Sequence, residues 1–309
     1  MSQSSPTLRL GTRGSKLARW QADMVARVLR EQGAACEIVP VKTTGDRILD
    51  RPLADAGGKG LFTKELEEAL LLGAIDLAVH SMKDVPTVLP DGLTIAAILP
   101  REDPSDVVIA KGVRTLSELP PGARVGTSSV RRQAQLLRLR PDLRCVLLRG
   151  NVDTRLAKLD AGEMDAIILA MAGLKRLGLA ARVTSVLPHE EWLPSLAQGA
   201  VGIEIRKSDT RTASPVVALD DAPASIALAC ERAFQAVLDG SCRTPIAGLA
   251  RIDGRHLSFR GEVIAPDGSD FAATEFQIVL GGDPRDEAAA AGREAGMALR
   301  PRAARWLAS

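Results

Sequence analysis

Where the apolar runs of this sequence stop, charged and hydroxyl side chains begin. In Val79-His80-Ser81-Met82-Lys83-Asp84-Val85-Pro86 an apolar strand runs straight into Ser81, Lys83 and Asp84. A carboxylate so placed can pair with a cation or manage protons, and this stretch alone leaves both open. His80, alone in the apolar part, reads as a hydrogen-bonded core residue. Arg13 follows Gly11-Thr12, Arg131 and Arg132 follow Gly126-Thr127-Ser128-Ser129, and Arg149 precedes Gly150-Asn151, each at a strand-to-helix turn. Helix N-termini at such turns offer free N–H groups and positive potential, and planar guanidinium forks suit carboxylate or phosphate oxygens. Between residues 131 and 155 seven Arg are set against only Asp142 and Asp153, a local charge of +5, so these turns predict a polyanion site. None of them has the spacing of a Walker or dinucleotide loop.

Cys242, in Gly240-Ser241-Cys242-Arg243-Thr244-Pro245, lies past a helix-ending glycine and beside a cation. It could be a nucleophile, an attachment point or an ordinary loop cysteine. Cys36, Cys145 and Cys230 border strands or sit on a helix stripe and read as core residues. The four cysteines lie far apart, with no C-x-x-C and no His nearby, so neither a zinc site nor a disulfide framework is expected, and no metal is assigned.

Alternating strands and helices must position these groups. Strands are predicted at 7–10, 37–41, 76–79, 94–99, 107–110, 124–126, 144–148 and 166–169, with helices at 15–31, 63–72, 129–139 and 154–161. This is an α/β pattern with a largely parallel sheet. Two stretches follow one plan: a strand ending in Gly-Thr (Gly11-Thr12, Gly126-Thr127), and later a Gly-x-x-Asp opening an apolar strand (Gly73 to Asp76, Gly162 to Asp165). The repeat predicts two similar lobes facing each other across a cleft, the first carrying a glycine-rich insertion at about 43–60, a candidate lid. After Asp221-Ala222-Pro223 a helix runs to Gly240. Three strands follow (246–252, 256–264, 271–280), joined by Asp253-Gly254 and Asp267-Gly268, and then a helix near 286–299. These predict an α+β domain with an antiparallel three-stranded sheet.

Composition narrows the partners. The 309 residues carry 40 Lys+Arg against 38 Asp+Glu, and 46% are hydrophobic, which suits a globular chain of two or three domains. No apolar run is long enough to cross a bilayer and no signal pattern opens the chain, so a cytoplasmic location is expected. With 3% aromatic residues and no Tyr, a stacking platform for single-stranded nucleic acid is disfavoured.

Taken together, Gly57-Gly58-Lys59-Gly60-Leu61-Phe62, the Val79 to Pro86 stretch, Gly126 to Arg132, Leu148-Arg149-Gly150-Asn151-Val152, Gln198-Gly199-Ala200-Val201-Gly202 and Gly240-Ser241-Cys242 strongly resemble the porphobilinogen deaminases, in order along nearly the whole chain. The resemblance implies two lobes like those of periplasmic binding proteins, with mainly parallel sheets, and a C-terminal α+β domain. The expected boundaries are 1–102 with 198–219, 103–197, and 220–309. It implies a transferase that deaminates porphobilinogen and joins it head to tail into the linear tetrapyrrole hydroxymethylbilane. That reaction is primed on one dipyrromethane cofactor, held by a thioether that maps onto Cys242.

The resemblance also distributes roles. Asp84 maps onto the catalytic acid, which can stabilise the azafulvenium cation left when ammonia departs. Ser81, Lys83, Asp84, Thr127, Ser129, Arg131, Arg132, Arg149, Gly150 and Arg155 map onto cofactor contacts. Arg13, Ser15, Arg149, Arg155, Arg176, Phe62 and Gln198 map onto substrate contacts, and Lys59 onto the lid. The pyrroles' acetates and propionates explain the need for arginines. The first turn departs from the family's commoner Ala-Thr-Arg-x-Ser-Pro, but Arg13 and Ser15 remain, while Asp55 stands where some members have Lys. A monomer acting on a small molecule, without nucleic acid or membrane, is expected. The alternative is a non-catalytic binding protein for anionic solutes, and binding of duplex DNA is disfavoured because the charge would line a closed cleft.

Overall fold

Gly11 and Gly126 end strands that have no room for a side chain. A Cβ on Gly11 would lie 2.3 Å from Ile75 Cδ1, and one on Gly126 would lie 2.4 Å from Met164 Sδ. In the computed structural model, which describes residues 7–47, 60–238 and 244–307, these glycines occupy matching places in two sheets of the same design.

The first sheet is built from β1 (Leu8–Arg13), β2 (Cys36–Val41), β3 (Leu77–Ser81), β4 (Leu93–Ile98) and β10 (Val201–Arg206), in the order β2-β1-β3-β10-β4. The second holds β5 (Asp106–Ala110), β6 (Arg124–Thr127), β7 (Arg144–Leu147), β8 (Ala166–Ala170) and β9 (Ser185–Val186), in the order β7-β6-β8-β5-β9. In each, four strands run one way and the fourth in line runs against them: β10 is antiparallel to β3 and β4, and β5 to β8 and β9. The sheets, expected to be mainly parallel, thus each carry one reversed strand. β10 went unpredicted because its run contains Gly202 and a buried charge, Glu204, which accepts a 2.9 Å hydrogen bond from His80.

Helices α1 (Lys16–Glu31), α2 (Thr44–Arg47), α3 (Lys64–Leu71) and α7 (Thr210–Val217) accompany the first sheet, and α4 (Val130–Leu139), α5 (Val152–Asp160) and α6 (Met171–Arg176) the second. Caps set where several begin. Ser15 Oγ accepts from Ala18 N, Ser129 Oγ from Arg132 N and Asn151 Oδ1 from Thr154 N. Both faces of each sheet are covered, as strands buried on two sides require. Leu10, Val25, Leu29, Val79 and Ile203 fill one face of the first, and Leu66, Leu70, Ile75 and Leu93 the other. In the second, Val108, Leu136, Ile168 and Trp192 pack one face, and Leu148, Leu156, Ile167 and Leu174 the other.

A third sheet, β11 (Ile246–Asp253), β12 (His256–Ile264) and β13 (Phe271–Val279), is wholly antiparallel. It packs against α8 (Ala222–Val237), capped by Asp221, and α9 (Pro284–Ala303), around Phe234, Phe259, Leu257 and Leu299. The chain divides into two compact units. The first comprises the described residues up to 47, 60–102 and 200–225, and the second those of 103–199 and 226–307. The three-stranded sheet thus belongs to the same unit as the second five-stranded sheet. Cys242, Lys59 and Asp55 lie outside the described residues, as does most of the expected lid.

Candidate functional site

In the first unit the ends of β1 and β3 bring an arginine, a carboxylate and a ring together. Arg13 Nη1 lies 3.7 Å from Asp84 Oδ2, with side chains 21% and 30% exposed, and its guanidinium sits 4.0 Å over the Phe62 ring. Phe62 is held from below by Gly45, where a Cβ would meet the ring at 2.3 Å. Thr44 in turn bonds Glu65 through both its N–H and its hydroxyl, at 2.7 and 2.6 Å. A turn of 3₁₀ helix, Met82–Asp84, carries exposed Lys83 and half-buried Asp84 off the end of β3. Ser81 Oγ accepts from Gln21 Nε2 at 2.9 Å. Sequence reasoning missed Gln21, a buried polar residue on the apolar stripe of α1; that misplaced polarity was the signal that could have found it. Ser15 is spent as the cap of α1.

In the second unit the expected arginines sort into two groups. Arg149 is 8% exposed, and burial pulls its pKa below the usual guanidinium value. It precedes Gly150, whose φ of 110° lies in the region that favours glycine and whose absent Cβ would stand 2.8 Å from Thr154. Arg155 Nε donates to the Gly150 carbonyl at 2.8 Å, and Arg176 Nη2 to that of Gly199 at 2.7 Å. Thr127 Oγ1 accepts from Ser129 N, fixing the turn that leads into α4.

Arg131 and Arg132 are buried, and both converge on Asp106 at the start of β5. Arg131 Nη2 reaches Oδ2 and Arg132 Nη2 reaches Oδ1, each at 2.7 Å. Trp192 Nε1 adds 2.9 Å to Oδ2, and Gln198 Nε2 adds 2.8 Å to Oδ1. Burial would raise the Asp106 pKa. The charges of Arg131 and Arg132, with hydrogen bonds from Arg132 and Trp192, instead hold it far below the usual carboxylate range. Gln198, mapped onto a substrate contact, is 1% exposed, and its amide nitrogen also donates to Pro104 O at 2.7 Å.

Does this cluster fit a carboxylate-bearing group? Two guanidiniums against one carboxylate leave a buried surplus of one positive charge, and Arg132 Nε is a buried donor with no hydrogen-bond partner among the described residues. An uncompensated buried cation is costly, so a bound anionic group suits these residues. Among the described residues no group of three or more His, Cys, Asp or Glu could hold a metal, and no single helix is long and apolar enough to cross a membrane. Cys36 and Cys230 are buried and Cys145 half-buried, and burial pushes the Cys36 and Cys145 thiols up to about 11, away from reactivity.

Fold and site together define an α/β protein in which each unit gathers arginines beside a carboxylate at its strand ends. Compared with known proteins, residues 8–214 match the model described as porphobilinogen deaminase, dipyromethane cofactor binding domain, and residues 225–300 the model of that family's C-terminal domain. The chain is 52% identical to the porphobilinogen deaminase of Nitrobacter winogradskyi over 298 residues, which cover 95% of this chain and 93% of the relative. It is 53% identical to that of Paracoccus denitrificans over 272 residues, 87% of each. Among solved structures, a periplasmic substrate-binding protein of an ABC transporter from Coxiella burnetii has 15% identity, covers 70% of this chain and 93% of its own, and gives a TM-score of 0.45. The chain belongs to the porphobilinogen deaminase family. It is a transferase of tetrapyrrole biosynthesis with a dipyrromethane cofactor binding domain, and the non-catalytic alternative is set aside.

Proposed function

We propose that Asp84 is the catalytic carboxylate with which this chain deaminates porphobilinogen and joins it head to tail. The observation that carries this reading is the Arg13–Asp84–Phe62 cluster, in which a carboxylate and an aromatic face both lie within 4 Å of the Arg13 guanidinium where β1 and β3 end. Arg13 holds a pyrrole carboxylate by its guanidinium fork. Asp84, at 3.7 Å and only loosely paired, is left to face the cation that forms when ammonia departs and to hold a proton at the pyrrole nitrogen. Phe62 covers a ring, and Ser81, oriented by Gln21, offers a neutral hydrogen bond. Arg149, Arg155 and Arg176 take further carboxylates; Gly150 shapes the turn between the first two, Ser15 the turn after Arg13, and Thr127 and Ser129 the turn before Arg131 and Arg132.

When bound, the dipyrromethane group supplies the pyrrole carbon on which the chain grows. Cys242 is assigned as its thioether attachment, Arg131, Arg132 and Lys83 as its holders, and Lys59 as the lid residue. Gln198 serves through Asp106. We also assign a cytoplasmic monomer acting on a small molecule, without nucleic acid or membrane. The intact mass of the purified chain should exceed the sequence mass by two pyrrole units, and Cys242→Ala should lack that addition. Asp84→Asn should keep its fold and form product about 10²- to 10⁴-fold more slowly. Wild-type turnover in Asp84→Asn refutes the assignment.

A further inference from the structure

Asp106 opens a buried strand and lies outside every motif singled out in the sequence. Its carboxylate is fully buried and receives four side-chain donors, two of them the guanidiniums of Arg131 and Arg132. Each arginine is fixed at a second point as well: Arg131 Nη1 donates to Leu193 O and Arg132 Nη1 to Ile168 O, both at 2.9 Å. Two anchors per guanidinium set the plane of each fork. For Arg132 they occupy both terminal nitrogens and leave Nε as the buried, unpartnered donor. Gln198 is placed with equal firmness. Ala197 before it is the one non-glycine residue with positive φ (60°) among the described residues, and its N–H is held by buried Glu231. Strain of that kind persists only where the surroundings over-determine it.

We propose that Asp106 is a positioning residue: it orients Arg131 and Arg132 so that Arg132 Nε and the surplus positive charge receive a carboxylate of the dipyrromethane group. This rests on the reading under which those arginines hold that group. Asp106 touches neither the group nor the substrate and acts through the arginines. A purely structural Asp106 would support stability alone. A positioning Asp106 makes loading depend on where its carboxylate lies, even when its charge is kept.

Asp106→Glu keeps the charge and displaces the carboxylate by a methylene, and Asp106→Asn keeps the shape and removes the charge. Trp192→Phe removes one donor from the same carboxylate and leaves both guanidinium contacts. In the full-length chain, intact mass reads loading and thermal melting reads stability. We expect Asp106→Glu to melt cooperatively yet load about 10-fold to 100-fold less, a misplacement effect, and any loaded fraction to show a raised KM for porphobilinogen. Asp106→Asn should load least. Trp192→Phe should melt lower and load fully. An Asp106→Glu chain that loads and binds substrate like wild type overturns the proposal, whether or not Asp106→Asn folds. Loss of loading in Trp192→Phe equal to that in Asp106→Glu overturns it too, because stability alone then governs loading. A wild-type chain without added mass instead removes the reading beneath it, and the proposal with it.

Discussion

The two five-stranded sheets share strand order and direction but treat charge differently at the same place in the register. The last residue of β3, Ser81, pairs with Val201, and the last residue of β8, Ala170, pairs with Asp106. One sheet therefore has an apolar residue where the other has its most heavily bonded carboxylate. The first unit's arginine–carboxylate pair, Arg13 with Asp84, is long and partly exposed, whereas the second unit's Arg131, Arg132 and Asp106 are short and buried. Under the roles proposed above, the pair that meets successive substrates is the loosely held one, and the cluster that holds the cofactor is the tightly bonded one. At the opposite strand ends the units agree. Asp76 N donates to Arg9 O and Arg9 N to Asp76 Oδ2, and Asp165 N donates to Arg124 O and Arg124 N to Asp165 Oδ2.

The sharpest way to break this contrast is to exchange the consequences of losing each carboxylate. Asp84→Asn should reduce turnover by about 10²- to 10⁴-fold with little change in melting, measured by product formation. Asp106→Asn should cost about 3–5 kcal/mol of stability, since it strands two buried cations, measured by urea unfolding. If both variants lose stability alike, the contrast between a loose and a fixed pair fails.

Acid gives a second test. Because the folded-state pKa of Asp106 is depressed, its stabilising contribution is present above the unfolded value of about 3.9 and is lost as pH falls below it. The gap in urea midpoint between wild type and Asp106→Asn should therefore be widest at neutral pH and narrow as the pH is lowered below that value. A gap that is unchanged at low pH contradicts the pairing.

The shared Arg–Asp staple can be sharpened by burial. The Asp76 side chain is 2% exposed and meets Arg9, Arg206 and Arg211, whereas that of Asp165 is 43% exposed. Burial would raise the Asp76 pKa, but the Arg9 hydrogen bonds and charge hold it below the usual range. Asp76→Ala should cost about 2 kcal/mol, discounted because the arginines are partly exposed, and Asp165→Ala under about 1 kcal/mol. Equal losses would show that the staple acts through its backbone bonds alone. The smallest effect expected is for Gln21→Ala. Losing the bond that orients Ser81 should cost about 1 kcal/mol, read as roughly a fivefold rise in KM with kcat held.

Much of the architecture was legible in local pattern. Ser15, Ser129, Asn151 and Asp221 announce helices because a cap needs only the next three residues. The three strands of the last sheet follow from alternation and Asp-Gly turns. The repeat was visible because Gly11 and Gly126 solve the same packing problem beneath Ile75 and Met164. β10 was not legible, since Glu204 is buried only by virtue of His80, 124 residues away.

The sequence by itself determined which side chains stand at the strand ends, that arginine dominates there, and that Asp84 and Cys242 sit in the segments shared with the family. Only the tertiary structure decided which arginines are spent. Arg131 and Arg132 read from the sequence as part of a polyanion site, and the fold sets both on Asp106, 25 and 26 residues away, together with Trp192 and Gln198, 86 and 92 residues from it. The reason is physical: periodicity and capping act within a turn or two of chain, whereas the energy of a buried charge depends on every partner the fold brings to it, from any distance in sequence.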